Sequence, residues 1–221
     1  GTGRRILKQI GDSLNILQNW WQTLVSVFFT QSCAVCGSEV ESGVFCQKCR
    51  SAKLMLEPMP GLKHLEGAVM GYKYDGALKD MLHKLKFEGE RKFLQPLAEE
   101  AAFMARAYDG RKFDMVVSVP TDAQRRRERG YDIPEAVFKN ALAQHGAWQT
   151  DVLARIKPTT PQYGLTPGER RSNVRGCFKA AGSASGKSIL LVDDILTTGA
   201  TLEEAAKTLK NAGAKSVYAL T

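Results

Sequence analysis

Residues 188–202 read Ser-Ile-Leu-Leu-Val-Asp-Asp-Ile-Leu-Thr-Thr-Gly-Ala-Thr-Leu, and this stretch decides the fold. The apolar run 189–192 is typical of a strand that is buried on both faces. Two carboxylates, Asp193 and Asp194, follow it, and a small turn then leads into a helical pattern over 202–211. This order predicts one strand–helix unit of a parallel sheet, in which ligands bind at the carboxyl ends of the strands.

The turn before that helix is suited to an anion. Its residues are small or carry a hydroxyl, namely Thr197, Thr198, Gly199, Ala200 and Thr201. A helix N-terminus offers unpaired amides to a phosphate, and a glycine permits close approach of the backbone. The acidic pair would repel that phosphate unless it faced sugar hydroxyls or Mg²⁺. A ribose 5-phosphate suits both features, because its phosphate fits the turn and its hydroxyls fit the acidic pair. The alternative is an ordinary strand-to-helix connection in which Asp194 or Thr198 caps the helix.

This run resembles the phosphoribosyl-pyrophosphate (PRPP) loop of type I phosphoribosyltransferases. The resemblance implies that Asp193 and Asp194 bind the ribose 2- and 3-hydroxyls and that residues 197–201 hold the 5-phosphate. It also implies that Mg²⁺ accompanies PRPP in the site.

Composition and charge limit the kinds of partner that the chain can have. Its 221 residues are 43% hydrophobic and 24% charged, as in a soluble globular protein, and the net charge of +8 favours anionic partners.

Segment 6–29 has a helical apolar stripe that polar residues interrupt, so it falls short of the roughly 20 apolar residues of a membrane span. We expect an amphipathic helix packed on the protein, with partner docking or membrane-surface binding as the alternatives. With no export signal apparent, a cytoplasmic location is expected.

Four cysteines form two Cys-x₂-Cys pairs separated by nine residues: Cys33, Cys36, Cys46 and Cys49. Four thiolates at this spacing predict a structural zinc ribbon or knuckle, with no coordination position left open for catalysis. Two disulfides or a redox dithiol are the alternatives. The remaining Cys177 is predicted to be a buried thiol without a role.

The rest of the chain alternates strands and helices. The predicted strands are 68–74, 115–119, 152–156, 189–192 and 216–220, and the predicted helices are 76–86, 91–108, 133–144 and 202–211. This alternation predicts a doubly wound, parallel α/β sheet. A Pro/Gly cluster near 57–61 divides the chain into an N-terminal helix and cysteine module, residues 1–57, and a phosphoribosyltransferase-like domain, residues 58–221.

Two further segments are expected at the same rim of the sheet. Thr121 and Asp122 follow the strand 115–119 and precede four arginines, Arg125, Arg126, Arg127 and Arg129. By resemblance to type I phosphoribosyltransferases, Thr121 and Asp122 belong to a pyrophosphate loop with the arginines lining the approach. Segment 157–177, with Arg170 and Arg171, is predicted to be a long loop that closes over polyphosphate. The alternatives are a solvated basic face and a merely flexible surface loop.

Nearly the whole chain resembles the ComF family of competence-associated proteins. The resemblance rests on the N-terminal helix, the four cysteines, the PRPP loop and several short motifs: 72–76, 86–89, 119–120, 129–131, 161–162 and 170–178. After Arg129-Gly130-Tyr131 the family usually continues with Asn-Gln, whereas this chain has Asp132-Ile133-Pro134. The resemblance implies an intracellular protein linked to natural transformation and uptake of single-stranded DNA.

Two functions compete on these grounds. The first is a PRPP-binding, Mg²⁺-dependent phosphoribosyltransferase-like protein, for which no catalytic residue can be assigned and no acceptor is named. The second is a factor for binding single-stranded DNA, or for assembling the uptake machinery, that uses the fold as a scaffold. A nucleoside monophosphate is a third ligand that the loop chemistry does not separate from PRPP, because both carry a ribose 5-phosphate.

Overall fold

The computed structural model describes residues 31–33, 36–40, 44–51, 56–57, 62–71, 76–160, 164–194 and 198–221. The predicted helix over 6–29 lies outside these residues, and so does Thr197. Within the described ranges, no helix is long and apolar enough to cross a membrane.

Ten strands and seven α-helices lie in the described part of the chain. The strands are β1 (Gln31–Ser32), β2 (Glu39–Val40), β3 (Leu56–Glu57), β4 (Gly67–Val69), β5 (Met115–Ser118), β6 (Ala147–Gln149), β7 (Leu153–Arg155), β8 (Phe178–Ala180), β9 (Ser188–Val192) and β10 (Ser216–Leu220). The helices are α1 (Gln47–Ser51), α2 (Gly76–His83), α3 (Leu94–Ala105), α4 (Ala123–Arg129), α5 (Ile133–Phe138), α6 (Pro167–Val174) and α7 (Ala200–Asn211). A π-helix, Lys84–Glu88, continues α2.

The central sheet has six strands in the order β3-β4-β10-β9-β5-β6. Five of them are parallel, and β3 pairs antiparallel with β4 at one edge. Strand β9 lies in the middle, where Val192 is in register with Leu220 of β10 and Ser118 of β5. The predicted α/β fold with a parallel central sheet is confirmed.

Alternating side chains of β9 enter two separate cores. Leu190 and Val192 belong to a cluster with residues of α2, α3 and α5, whereas Ile189 and Leu191 belong to a cluster with residues of α7. All four side chains are fully buried. Helices therefore cover both faces of the sheet, which is why this strand is continuously apolar.

Four predicted elements differ from the observed ones. The strand predicted over 68–74 is β4, which ends at Val69. The strand predicted over 152–156 is β7, which pairs antiparallel with β8 in a separate two-stranded sheet. Strand β6 takes the edge of the central sheet instead, and the helix predicted over 133–144 ends at Phe138. The segment predicted to be a loop, 157–177, contains α6, whose first turn is fixed by a capping box between Thr166 and Glu169.

The cysteine module shares its apolar packing with the α/β domain. Cys33, Val44 and Phe45 are buried in the same cluster as Met81 and Leu82 of α2. A segment this short cannot bury a core of its own, so the larger domain supplies part of it. The division of the chain at residue 57 stays a prediction.

Candidate functional site

The candidate site lies where the strand order of the sheet reverses. The chain passes from β5 outward to β6, and β9 then returns on the opposite side of β5. The connections after β5 and β9 therefore diverge and leave a crevice at their carboxyl ends. The Val119 amide donates to the Val192 carbonyl at 2.8 Å, which keeps the two strand ends side by side.

A cleft of about 740 Å³ opens at this point. Most of the predicted site residues line it: Thr121, Asp122, Arg125, Arg129, Arg170, Asp193, Asp194, Gly199, Ala200 and Thr201. Arg171 and Thr198 do not line it, and Thr197 lies outside the described residues. The fold thus brings together three sequence segments that were predicted to share one rim.

The acidic pair at the end of β9 is paired with a lysine. Lys86 Nζ lies 2.8 Å from Asp194 Oδ2, and both side chains are about four-fifths buried, with 20% and 16% exposed. The Asp194 amide donates to Asp193 Oδ1 at 2.8 Å. Burial and the neighbouring Asp194 carboxylate raise the pKa of Asp193 to about 8, against the opposing effect of Lys86. The pair therefore favours partners that stabilise negative charge, such as hydroxyl donors or a divalent cation.

The turn after the acidic pair opens α7 without a side-chain cap. Gly199 is the N-cap residue and has a left-handed conformation with φ 72°, which a side chain would disfavour. The Ala200 amide donates to Thr198 Oγ1 at a long 3.4 Å. Gly199 is therefore the N-cap residue, and neither Asp194 nor Thr198 occupies that position. The helix N-terminus faces the cleft through Gly199, Ala200 and Thr201.

The segment after β5 is held by two carboxylates. Asp122 accepts from the amides of Gln124 and Arg125, at 3.0 and 3.2 Å, and thereby caps α4. Asp132, only 8% exposed, accepts from the Glu135 amide and hydrogen-bonds with the Thr121 side chain. Burial raises its pKa. The departure at Asp132-Ile133-Pro134 therefore has a structural explanation, because Asp132 caps α5 and Pro134 occupies its first turn.

The four arginines within residues 125–129 divide between two surfaces. Arg125 and Arg129 line the cleft. Arg126 and Arg127 instead line a separate, open depression of about 520 Å³ beside Tyr131. The sequence could not separate them, because the two surfaces depend on the rotation of α4.

Segment 157–177 is fastened at its base. The Asn173 side-chain amide donates to the Thr160 carbonyl at 2.9 Å, and Asn173 Oδ1 accepts from the Thr160 amide at 3.1 Å. The Gly176 amide donates to Glu204 of α7 at 2.7 Å. These contacts hold Thr160 and Arg170 against the cleft, which both residues line.

Sequence reasoning missed a fixed arginine in the cleft. Arg155 Nε donates to the Pro120 carbonyl and its Nη1 to Thr159 Oγ1, each at 3.0 Å. Its guanidinium also lies 4.8 Å from the centre of the Phe178 ring and 3.7 Å from the buried Cys177 sulfur. Burial raises the pKa of that thiol. A lone arginine in a short strand carries no sequence signal, yet these contacts fix it between two rim segments.

The other missed residues come from α2 and the π-helix. The cleft is also lined by Lys79, Asp80, His83, Lys86 and Phe87. The pattern of apolar residues predicted the helix over 76–86, but nothing in it indicated that its exposed face would overlie the acidic pair.

The four cysteines form a compact cluster apart from the cleft. Their sulfur atoms all lie within 4.8 Å of one another, and Cys36 Sγ is 3.6 Å from Cys46 Sγ. A tetrahedral zinc site with bonds of about 2.3 Å places its sulfurs about 3.8 Å apart. Hydrogen bonds with Ser38 lower the pKa of Cys36 to about 6, whereas the neighbouring cysteines and burial raise that of Cys49 to about 12. A divalent cation would offset the charge of four thiolates this close together, so the donor set fits zinc.

Comparisons with known proteins point to the same site. A family model described as the phosphoribosyl transferase domain matches residues 136–221, which include the acidic pair and α7. The DNA utilization protein YhgH of Salmonella typhimurium is 30% identical over 149 residues, which cover 65% of this chain and 66% of that protein, just under two thirds. Competence protein ComFC of Streptococcus pneumoniae is 29% identical, covering 77% of this chain and 72% of that protein. Competence protein F of Haemophilus influenzae is 25% identical, covering 84% and 81%.

Among solved structures, the chain is similar to the glutamine PRPP amidotransferase from B. subtilis complexed with ADP and GMP. The TM-score is 0.36 at 20% identity, and the match covers 56% of this chain and 25% of that one. So distant a likeness carries no argument about the site.

Proposed function

This chain belongs to the ComF family of competence-associated proteins and carries a phosphoribosyltransferase domain, and from that premise we propose that its cleft binds PRPP with Mg²⁺. One observation carries the proposal. An acidic pair and a helix N-terminus meet in a single cleft, flanked by arginines from three other segments. A ligand with a diol, a phosphate and a pyrophosphate satisfies all of these groups at once.

The proposal assigns each end of PRPP to residues of the cleft. Asp193 and Asp194 accept hydrogen bonds from the ribose hydroxyls, and the turn 197–201 holds the 5-phosphate at the N-terminus of α7. The pyrophosphate lies toward Thr121 and Asp122, with Arg155 and the arginines of α4 and α6 around it. Arg171 does not line the cleft, so the proposal assigns it no contact with the ligand.

The charge balance of the cleft suits this ligand. Among the described residues, its lining has six basic side chains and four carboxylates: Lys79, Lys86, Arg125, Arg129, Arg155 and Arg170 against Asp80, Asp122, Asp193 and Asp194. The excess of positive charge attracts a polyanion, and Mg²⁺ would offset the remaining charge of the pyrophosphate. Phosphoribosyl transfer would need positioning and electrostatic stabilisation and no protein nucleophile, so the proposal concerns binding and assigns no catalytic residue.

We further propose that Cys33, Cys36, Cys46 and Cys49 hold a structural Zn²⁺. The sulfur spacing supports this assignment. The names of the competence and DNA utilization relatives support a role linked to DNA uptake. We propose that the protein carries out this role in the cytoplasm.

Calorimetry with PRPP and Mg²⁺ tests the binding proposal. The wild-type protein should bind PRPP, and the double variant Asp193→Ala/Asp194→Ala should bind at least about tenfold more weakly, because each hydrogen bond to a charged group contributes about 1.5–3 kcal/mol. Asp151→Asn is the matched control, since this exposed carboxylate does not line the cleft. No binding by the wild type, or equal binding by the double variant, refutes the proposal. Nucleoside monophosphates are titrated in parallel to test the alternative that the cleft binds them instead of PRPP.

A single-stranded DNA-binding function is the second candidate. The observation that favours it is the depression that Arg126 and Arg127 line beside Tyr131, whose ring is also covered by Arg91 at 4.7 Å. Asp132 and Glu135 line the same depression, and Glu135 lies 3.9 Å from Arg126. Phosphate contacts there would make affinity fall with salt. Electrophoretic mobility shifts of single-stranded DNA at two salt concentrations test this function in the wild type and in Arg126→Ala/Arg127→Ala. If the variant shifts the DNA as the wild type does, this depression is not the DNA-binding surface.

A further inference from the structure

Helix α6 carries one of the cleft arginines but has almost no apolar anchor. Within Pro167–Val174, Val174 is the one buried side chain, and it lies at the last position. A single buried side chain at one end holds that end in place but leaves the direction of the remaining helix undetermined. Arg170 lies one turn earlier and lines the cleft, so polar contacts have to set its position.

Those contacts come from Asn173, which lies three residues after Arg170 on the same side of the helix. Asn173 Oδ1 accepts from the Thr160 amide at 3.1 Å and from the Thr160 hydroxyl at 3.0 Å, and its side-chain amide donates to the Thr160 carbonyl at 2.9 Å. The side chain therefore pairs with both backbone polar groups of one residue. A carboxamide offers the acceptor and the donor that this pairing needs, whereas a carboxylate offers acceptors alone.

The partner of Asn173 is linked to a second cleft arginine. Thr159, the neighbour of Thr160, accepts from Arg155 Nη1 at 3.0 Å. The two threonines and the two arginines line the cleft, whereas Asn173 does not. Adjacent threonines thus connect Arg155 to helix α6 and set the spacing between Arg155 and Arg170.

Two arginines held at a fixed spacing suit a particular class of ligand. A guanidinium has five N–H donors, and the bond from Arg170 Nε to the Leu165 carbonyl at 3.0 Å uses one of them. The terminal amino groups of Arg170 can donate to phosphate oxygens. A pyrophosphate presents oxygens on two phosphorus atoms, so it can contact both arginines at once. A lone phosphate held at the N-terminus of α7 cannot do so.

From this geometry we infer that Asn173 is a positioning residue that makes the cleft select a pyrophosphate-bearing ligand over a simple sugar phosphate. It acts through Arg170, which it holds beside Arg155, and it touches no ligand atom itself. The inference rests on the proposed function, because it takes the arginine end of the cleft as the pyrophosphate site. Contacts to the sugar and the 5-phosphate come from the end of β9 and from α7, so they do not depend on Asn173.

Calorimetry with two ligands that differ in the pyrophosphate tests the inference. Asn173→Ala should bind PRPP with Mg²⁺ about 3- to 10-fold more weakly than the wild type, and Arg170→Ala at least about tenfold more weakly, because the first variant displaces the charged contact and the second removes it. Asn173→Ala should bind ribose 5-phosphate as the wild type does. Ser172→Ala, at the exposed neighbouring position of the same helix, is the matched control and should alter neither affinity.

Further variants distinguish positioning from a separate role. In Asn173→Ala/Arg170→Ala, PRPP should bind no more weakly than in Arg170→Ala alone, because Asn173 acts through that arginine. Asn173→Asp keeps the accepted bonds and loses the donated one, so it should show a selective loss of the same kind, and it replaces Asn173→Ala if that variant does not fold.

The outcomes separate the inference from the proposed function. Losses that add in the double variant, an equal loss for ribose 5-phosphate, or an unchanged PRPP affinity in Asn173→Ala would each refute the inference and leave the proposed function standing. If the wild-type protein does not bind PRPP, the proposed function and the inference are both refuted.

Discussion

Replacing Asp193 by asparagine should stabilise the ligand-free protein in a pH-dependent way. Asparagine keeps the shape of the side chain and an oxygen for the Asp194 amide, which donates to it at 2.8 Å. It removes a carboxyl whose pKa is raised to about 8 by burial and by Asp194. The variant should match the wild type in acid and exceed it in stability at alkaline pH.

The magnitude follows from the pKa difference. An aspartate in the unfolded chain ionises near pH 3.9, so the folded protein keeps a proton that the unfolded chain loses between about pH 4 and pH 8. Wild-type stability should therefore fall as the pH rises through this window and level off above it. Four pKa units correspond to a loss of about 5 kcal/mol in the free energy of unfolding. Movement of Lys86 toward the ionised Asp193 carboxylate would reduce this loss. We expect Asp193→Asn to be more stable by about 2–4 kcal/mol near pH 8.5 and by almost nothing near pH 4.5.

Urea unfolding of the ligand-free, zinc-loaded protein across this pH range measures the difference. The exposed Asp151→Asn variant is the control and should show no such pH dependence. An Asp193→Asn variant that is destabilised near pH 8.5, or whose stability difference is the same at both pH values, refutes the reasoning. The same variant should bind PRPP more weakly, because the carboxylate that destabilises the ligand-free protein is also a proposed ligand contact.

Three further predictions follow from particular contacts. Arg155→Lys should weaken PRPP binding about tenfold in calorimetry, since lysine cannot span the two rim segments that the guanidinium joins, and unchanged affinity would contradict its role. Gly146→Ala should lower the free energy of unfolding by about 1–3 kcal/mol, because a Cβ there would lie 2.9 Å from a backbone oxygen. Gly182→Ala, with open space around it, should be neutral in the same urea titration. Cys46→Ser should lower the zinc content per protein molecule, measured by atomic absorption. If the variant still holds one full equivalent of zinc, Cys46 is not a zinc ligand.

The parts of the fold that could be predicted are those with local signals. The apolar run of β9 and the small turn before α7 have spacings that few other structures produce, and the cysteine pairs are similarly distinctive. Strand β6 (Ala147–Gln149) has no such signal, because it lies at a sheet edge with no continuous apolar run. Helix α6 did carry a signal, the Thr166–Glu169 capping box, which the polar composition of its segment obscured.

The missing part of the site depended on tertiary contacts. Lys86 and Asp194 are far apart in sequence, and no local pattern indicates that a lysine at the end of one helix will reach the end of β9. The exposure of Phe87 is likewise visible only in the fold, because its spacing fits an ordinary buried position of a helix. Asp132 shows the opposite case, since its departure from the family pattern is a local cap of α5.

The Lys86–Asp194 ion pair also makes the two ends of the cleft interdependent. Lys86 belongs to the π-helix after α2, whereas Asp194 follows the end of β9. A ligand or cation that replaces the ammonium at Asp194 would alter the restraint on the π-helix, and a ligand that contacts the π-helix would alter the position of the ammonium. By thermodynamic reciprocity, each occupant must change the affinity of the other by the same factor. Cooperativity between ligands at the two ends of the cleft would therefore require no movement of the central sheet.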